Sequence, residues 1–314
     1  IDLDHGADMA VAPRSRRHSP KENAMCPAAT LEKADVAASG DGIRDIVVQI
    51  EDGPESDGRR LAFAAGFARR QGAHLVAVLT QLPPQMPGRV RAEIGDLLLE
   101  AWRKQAAEKA EAVAARVAAA GHAEGIEIEL RVVEGFPDAT MTEHARYVDL
   151  TILGQAAGDL AVDQTRTIEA LLFGSGRPIL LLPSVGTYKT ELRHVLCAWN
   201  GSREAARAIA DALPLLRRAG HVTVLSADPA GAAHRDPGSD IARHLARHGV
   251  KASTSATYAG DLTIGDALLN RAADLGADLL VMGGYGHSRT REAIFGGATR
   301  HVLDHMTLPV LMSH

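Results

Sequence analysis

The sequence predicts an α/β protein made of two tandem, doubly wound units, each a parallel sheet of five strands. Three observations carry this reading. Short apolar runs alternate with stretches whose apolar residues recur at helical spacing. The order of these runs is laid down once after Ile43 and again after His194. In both copies an aspartate (Asp149, Asp278) stands before an apolar fourth strand ending in glycine (Gly154, Gly283), and the fifth strand opens on proline (Pro178, Pro309). Strands that alternate with crossover helices are parallel, because each helix returns the chain to the same end of the sheet.

In the first unit, 46–48 reads as a β-branched strand and 58–70 as a helix with Leu61, Ala65 and Ala68 on one face. A strand at 74–79 precedes a long Ala/Glu/Arg/Lys-rich helix at 91–120. Strict alternation over 126–132 reads as a strand, 141–147 as a short helix, and 150–154 and 178–182 as the last strands. The second unit has strands at 194–199, 221–225, 251–258, 278–283 and 308–312, with helices at 203–216, 240–248, 263–275 and 299–306. Pro, Gly and Ser over 183–191 mark a linker, so the domains are 43–184 and 191–314. Residues 1–42 read as a disordered leader: 12–23 mixes Pro, Ser and charge without apolar periodicity, and no apolar stretch makes it a secretory signal. The chain opens on Ile, and Met9 and Met25 are both candidate starts.

Composition narrows the function. At 46% hydrophobic and 23% charged residues, the 314-residue chain has apolar surface enough for packed cores. Aromatics at 4% argue against a base-stacking platform, and a net charge of −5 argues against gathering polyanions, so nucleic acid is not an expected partner. No apolar run approaches the about 18 residues of a membrane helix, so no membrane association is expected. Two cysteines, Cys26 and Cys197, build neither a disulfide framework nor a thiolate metal cluster. A cytoplasmic protein is the expectation.

The chemistry concentrates in the second unit. Met282-Gly283-Gly284-Tyr285-Gly286-His287-Ser288 leaves the C-terminal end of a parallel strand, the edge at which open α/β sheets bind ligands. Gly283 and Gly286 permit positive φ and close backbone approach. Gly296 and Gly297 precede an apolar-periodic helix, whose unpaired N–H groups form an anion site. The first unit lacks this arrangement. The spacing from Gly296 to Pro309 places Thr165 at the corresponding point before Pro178, Asp159 and Asp163 would repel phosphate, and Gly174-Ser175-Gly176 reads as a helix-ending turn.

The pattern Gly283-x2-Gly286-x9-Gly296, before a closing Pro-Val-Leu strand, resembles the ATP-binding signature of the universal stress protein family. Trp199-Asn200-Gly201-Ser202 is similar to that family's adenosine-side turn, and the duplication from Ile43 to His314 resembles its tandem members. The resemblance implies a fold like the adenine nucleotide alpha hydrolases, with strand order 3-2-1-4-5 in each unit. It further implies that the last strands of the two units pair, giving an intramolecular pseudo-dimer able to form a further homodimer. The function it implies is a regulatory stress protein binding ATP or a related adenine nucleotide, with or without Mg2+, and acting on an unknown protein partner. Carried over position by position, the pocket is Ala198, Asn200, Ala227, Met282, Gly283, Gly286, Gly296, Gly297, Ala298 and Thr299. Two positions depart from the family pattern: Gly297 stands where Ser or Thr follows the last glycine, and Asn200 where an acidic residue holds the adenosine. These departures keep a second reading open, an interaction scaffold of the same fold that binds no nucleotide. A weak ATPase is a third, disfavoured because a P-loop lysine and a Mg2+ carboxylate at the loop are missing. No catalytic residue and no metal ligand is assigned. His301-x2-Asp304-His305 reads as a solvated helix face rather than a zinc motif, and Glu51, Asp52 and Glu55 as an acidic turn. The 91–120 helix either carries ordinary surface charge or borders a cavity or partner site.

Overall fold

The computed structural model describes residues 42–51, 54–156, 161–227, 238–286 and 297–314, so the expected leader lies outside the described residues except for Gly42. The first unit runs β1 (Asp45–Ile50), α1 (Pro54–Gln71), β2 (His74–Gln81), α2 (Gly88–Glu124), β3 (Ile128–Glu134), α3 (Pro137–Ala145), β4 (Leu150–Gly154), α4 (Ala161–Gly174) and β5 (Ile179–Leu182). The second runs β6 (His194–Ala198), α5 (Arg203–Leu216), β7 (His221–Ala227), α6 (Ser239–Arg247), β8 (Ala252–Thr257), α7 (Ile264–Asp274), β9 (Leu279–Gly283), α8 (Gly297–His305) and β10 (Val310–Ser313).

The strands lie in the order β3-β2-β1-β4-β5-β10-β9-β6-β7-β8, so each unit has the 3-2-1-4-5 order expected of it. Pairing within each unit is parallel, and β5 meets β10 antiparallel with Leu180 opposite Leu311. The two five-stranded sheets are thus one ten-stranded sheet, joined through the last strands. The repeated aspartates explain themselves here. Asp149 accepts from the backbone N–H groups of Arg44 and Asp45 (2.7 and 3.1 Å), and Asp278 from those of Arg193 and His194 (2.9 and 3.1 Å). Each carboxylate ties the start of a fourth strand to the start of its first, supplying acceptors where the ladder has not begun.

A parallel sheet covered on both faces needs apolar side chains on both. Along β1, Ile46, Val48 and Ile50 join the layer under α1, α2 and α5, while Val47 faces the layer of α3, α4, α7 and α8. Both layers continue across the β5–β10 seam. Cys197 is wholly buried, and burial pushes its thiol up to about 12. In a Cys26→Ser background we expect no labelling by a thiol reagent in the native protein near pH ~8, and one equivalent after denaturation, because the thiolate is the nucleophile. Native labelling at the denatured rate would mean that β6 opens locally.

Several boundaries differ from expectation by a few residues, and two of the shifts have local reasons. β3 starts at Ile128 rather than 126, because α2 ends on Gly125 at φ +67° and the N–H of Ile126 is used to close the helix on Gly121 O at 3.0 Å. The helix after β3 starts at Pro137 rather than 141, with proline in its first turn where a missing N–H costs nothing.

Candidate functional site

The second unit holds a cavity of about 320 Å3 above the C-terminal ends of β6, β7 and β9, between α5, α7 and α8. Its floor comes from strand ends: Ala198 from β6, Leu225 and Ala227 from β7, Met282 and Gly283 from β9. Ile264 and Leu268, one turn apart on α7, complete an apolar side.

The opposite side is polar. Asn200 Oδ1 accepts from the N–H of Ser202 (3.0 Å), closing a turn that Gly201 allows at φ +74°. Ser202 then caps α5, its Oγ accepting from the N–H of Ala205 at 3.1 Å. That cap aims the first turn of α5, with Glu204, at the cavity. Burial would raise the Glu204 carboxyl, but its own backbone N–H, Arg203 and His314 outweigh this and hold it below its ordinary range. A charged carboxylate therefore stands in the wall, with Oε2 3.2 Å from where a Cβ on Gly286 would sit.

Gly283 lets β9 approach α5 closely: a Cβ there would lie 2.6 Å from Ala205 N and from Glu204 C. The positive φ anticipated for Gly283 or Gly286 falls instead on Tyr285, at +58°. Its N–H donates to Thr299 Oγ1 (3.1 Å, buried), which leaves the Thr299 hydroxyl hydrogen available to the cavity that Thr299 lines. Gly297, Ala298 and Thr299 form the first turn of α8, two residues earlier than the sequence suggested, where the N–H groups of a helix are not used by its own ladder.

Nine of the ten sequence-named positions thus line this cavity; Gly296 lies outside the described residues, as do His287 and Ser288. Sequence reasoning did not name Glu204, Ala205, Leu225, Ile264 or Leu268. The i, i+4 spacing of Ile264 and Leu268 was a usable signal, but no local pattern shows a helix-surface glutamate turning inward.

In the first unit the place beside Gly154, the counterpart of Gly283, is filled. Arg60 packs on Gly154 as Glu204 packs on Gly283. Its guanidinium pairs with buried Asp57 and reaches Glu51 at 3.4 Å. Gln164 donates to Gln49 Oε1 (3.0 Å) and to Gly154 O (2.9 Å). Thr165 sits inside α4, its hydroxyl donating to Ala161 O at 2.7 Å, and Ser175 and Gly176 close that helix. Elsewhere, His301 pairs with Asp266 across α8 and α7 at 2.7 Å, and His305 bonds to His301 O. Among the described residues no three His, Cys, Asp or Glu side chains gather as a metal site. Asp52 lies outside the described residues.

Comparison with known proteins agrees with this architecture. The universal stress protein family model matches residues 42–175 and 191–314. Among solved structures, a universal stress protein from Archaeoglobus fulgidus DSM 4304 is similar at 17% identity, covering 86% of this chain and 95% of its own, with a TM-score of 0.67. A functionally unknown protein from Pseudomonas aeruginosa PAO1 is similar at 17% identity, covering 86% of this chain and 92% of its own, with a TM-score of 0.51. At such identity these likenesses speak to fold. No curated protein matches the chain. With the family matched once in each unit, the chain belongs to the universal stress protein family, in its tandem form.

Proposed function

We propose that the second unit binds an adenine nucleotide and that the protein acts in the cytoplasm as a nucleotide-responsive regulator in the stress response, through a protein partner, rather than as an enzyme. One observation carries the reading: the first-turn residues of α8 share a cavity with the apolar side chains of Leu225, Ala227, Leu268 and Met282. Donors at a helix N-terminus suit a phosphate, and the apolar lining suits a base. Thr299 supplies a further donor in place of the hydroxyl that Gly297 lacks, and the Asn200 amide is a neutral partner for base or ribose. Glu204 fits a phosphate run past Gly286 only if a cation such as Mg2+ screens it, since like charges that close repel. The same carboxylate favours the scaffold reading if that repulsion prevails.

The test is to denature the purified protein, identify any released nucleotide, and titrate ATP and AMP into nucleotide-free protein with and without Mg2+. One-to-one binding, abolished by Gly297→Asp, supports the reading. No released nucleotide and no heat with either ligand sinks it in favour of the scaffold.

The first unit props this site. Leu172 of α4 packs on Gly284, and the Phe173 ring lies 5.3 Å from Tyr285 and 4.7 Å from His314, whose Nδ1 meets Gly284 O at 3.0 Å. Tyr285 holds a backbone conformation that costs about 1–2 kcal/mol, so its side-chain packing must hold it there. Phe173→Ala is expected to weaken nucleotide binding by about fivefold to tenfold, the worth of one aromatic pair. Calorimetry beside an unchanged circular dichroism spectrum checks it, and unaltered affinity would separate the two units functionally.

A further inference from the structure

Helix α2 is longer than the sheet it covers. It has 37 residues where α6, its counterpart in the second unit, has 9. At 1.5 Å per residue it spans about 55 Å, against about 26 Å for the eight residues of β2. Trp102 Nε1 donates to Leu82 O at 3.1 Å, and Gln81 Nε2 donates to Ala106 O at 2.6 Å, so the helix roofs the end of β2 at residues 102–106. Since β3 is parallel to β2, the helix runs back from that end, and its residues from Gly88 to Ala101 lie past it.

This projecting part has three faces. Gly95 and Ala106 are buried and Leu99 and Trp102 half-buried, and their spacing marks the face turned toward the unit. Glu93, Asp96, Glu100, Arg103 and Lys104 are exposed and make a charged face. The third face is apolar and also exposed: Ile94, Leu97 and Leu98 are 47%, 68% and 37% exposed, and Ala101 continues the stripe. These four stand at i, i+3, i+4 and i+7, so they are neighbours on one side of the helix. One apolar stripe suffices to dock a helix on its own domain. Single exposed leucines are ordinary, but a contiguous second stripe marks an interaction surface.

We infer that this stripe is the contact surface of a homodimer, in which the same segment of a second copy packs antiparallel upon it. The stripe is complementary to itself when turned end for end. A two-fold axis between Leu97 and Leu98 sets each against the other across the contact, and Ile94 against the small Ala101 of the second copy. Charge agrees with this register. Glu93 and Lys104 flank the two ends of the stripe on the same side of the helix, so Glu93 of each copy faces Lys104 of the other. Asp96 and Glu100, which carry like charge, lie further round the helix toward solvent. The β5–β10 pairing that joins the two units is made within the chain and is not open to a second copy. Four apolar side chains from each copy fall short of a standard interface, so the dimer is weak, dissociating at about 10–100 µM. The inference is independent of the nucleotide reading.

Sedimentation velocity of the full chain from about 1 to about 300 µM tests it, with a monomer giving way to a dimer across that range. Leu97→Glu is expected to weaken the dimer at least about tenfold, because it places a charge at the centre of the contact. Glu93→Lys and Lys104→Glu are each expected to weaken it about threefold to tenfold, and the double variant to restore it within about twofold. All these positions are exposed, so urea midpoints should stay at the parent value and show that the variants fold. A monomer at every concentration overturns the inference and leaves the stripe to a partner of another kind. A dimer indifferent to Leu97→Glu overturns it by placing the contact elsewhere. A charge-swapped double variant no tighter than the single ones overturns the antiparallel register.

Discussion

Asp57→Ala is expected to destabilise the protein by about 3–5 kcal/mol, measured as the shift of the urea unfolding transition, because it strips a buried guanidinium of its nearer counter-charge and leaves only half-exposed Glu51 at 3.4 Å. Arg60 and Asp57 side chains are 3% and 1% exposed, and Arg60 Nε already lacks a hydrogen-bond partner among the described residues. Arg116 also lies 3.4 Å from Asp57, so the substitution leaves two like charges facing one another. Burial, the largest influence on Asp57, raises its carboxyl against the pull of Arg60, and the net direction is up. The sign for pH follows. A carboxyl easier to protonate in the folded state binds extra protons there, so its contribution to stability declines as pH rises from its ordinary value to its raised one, and is flat above. A raised carboxyl beside an arginine also means that desolvation exceeds the pair's attraction. The double variant Asp57→Leu with Arg60→Met should therefore recover most of the lost stability. A single-variant loss under about 1 kcal/mol would show the pair to be hydrated, as exposed pairs are.

That pair illustrates what the sequence could and could not disclose. Period and order placed the strands of both units, and the duplicated aspartates were visible before their role as clamps on Arg44, Asp45, Arg193 and His194 was known. The glycine spacing led to the right edge of the right unit because backbone approach needs glycine wherever it occurs, as Gly283 shows. Side chains that act across the fold were not legible. Gln164 and Gln49 meet across 115 residues, and Arg60 in a helix of ordinary charge density reads as surface until Gly154 is seen against it. Glu204 escaped for the same reason: its inward course depends on a cap at Ser202 and on the approach of β9. The long helix was legible as a helix, and its service as a roof only after β2 was seen to end beneath Trp102.

Gly283→Ala and Gly154→Ala make a matched pair, and the first is expected to cost far more. Each glycine ends the fourth strand of its unit against the first helix. Neither is among the positive-φ glycines, so the cost is one of space. At Gly283 the added methyl meets backbone: Ala205 N and Glu204 C at 2.6 Å, in the capped first turn of α5. Relief requires β9 to part from α5, which disturbs the packing of a buried strand whose neighbours are β6 and β10. Overpacking against a fixed wall costs about 3 kcal/mol, and the same shift widens the gap between Gly283 and Glu204 on which the cavity's shape depends. At Gly154 the methyl meets Arg60 Nη1 at 2.7 Å, the far end of a flexible side chain. That guanidinium can turn toward Glu51 while keeping Asp57, and the cost falls to about 1 kcal/mol. Urea midpoints of the two variants decide the matter. Equal losses would mean that the Arg60 cluster is as rigid as backbone, and that the first unit's site is closed by a framework as firm as the one that keeps the second unit's open.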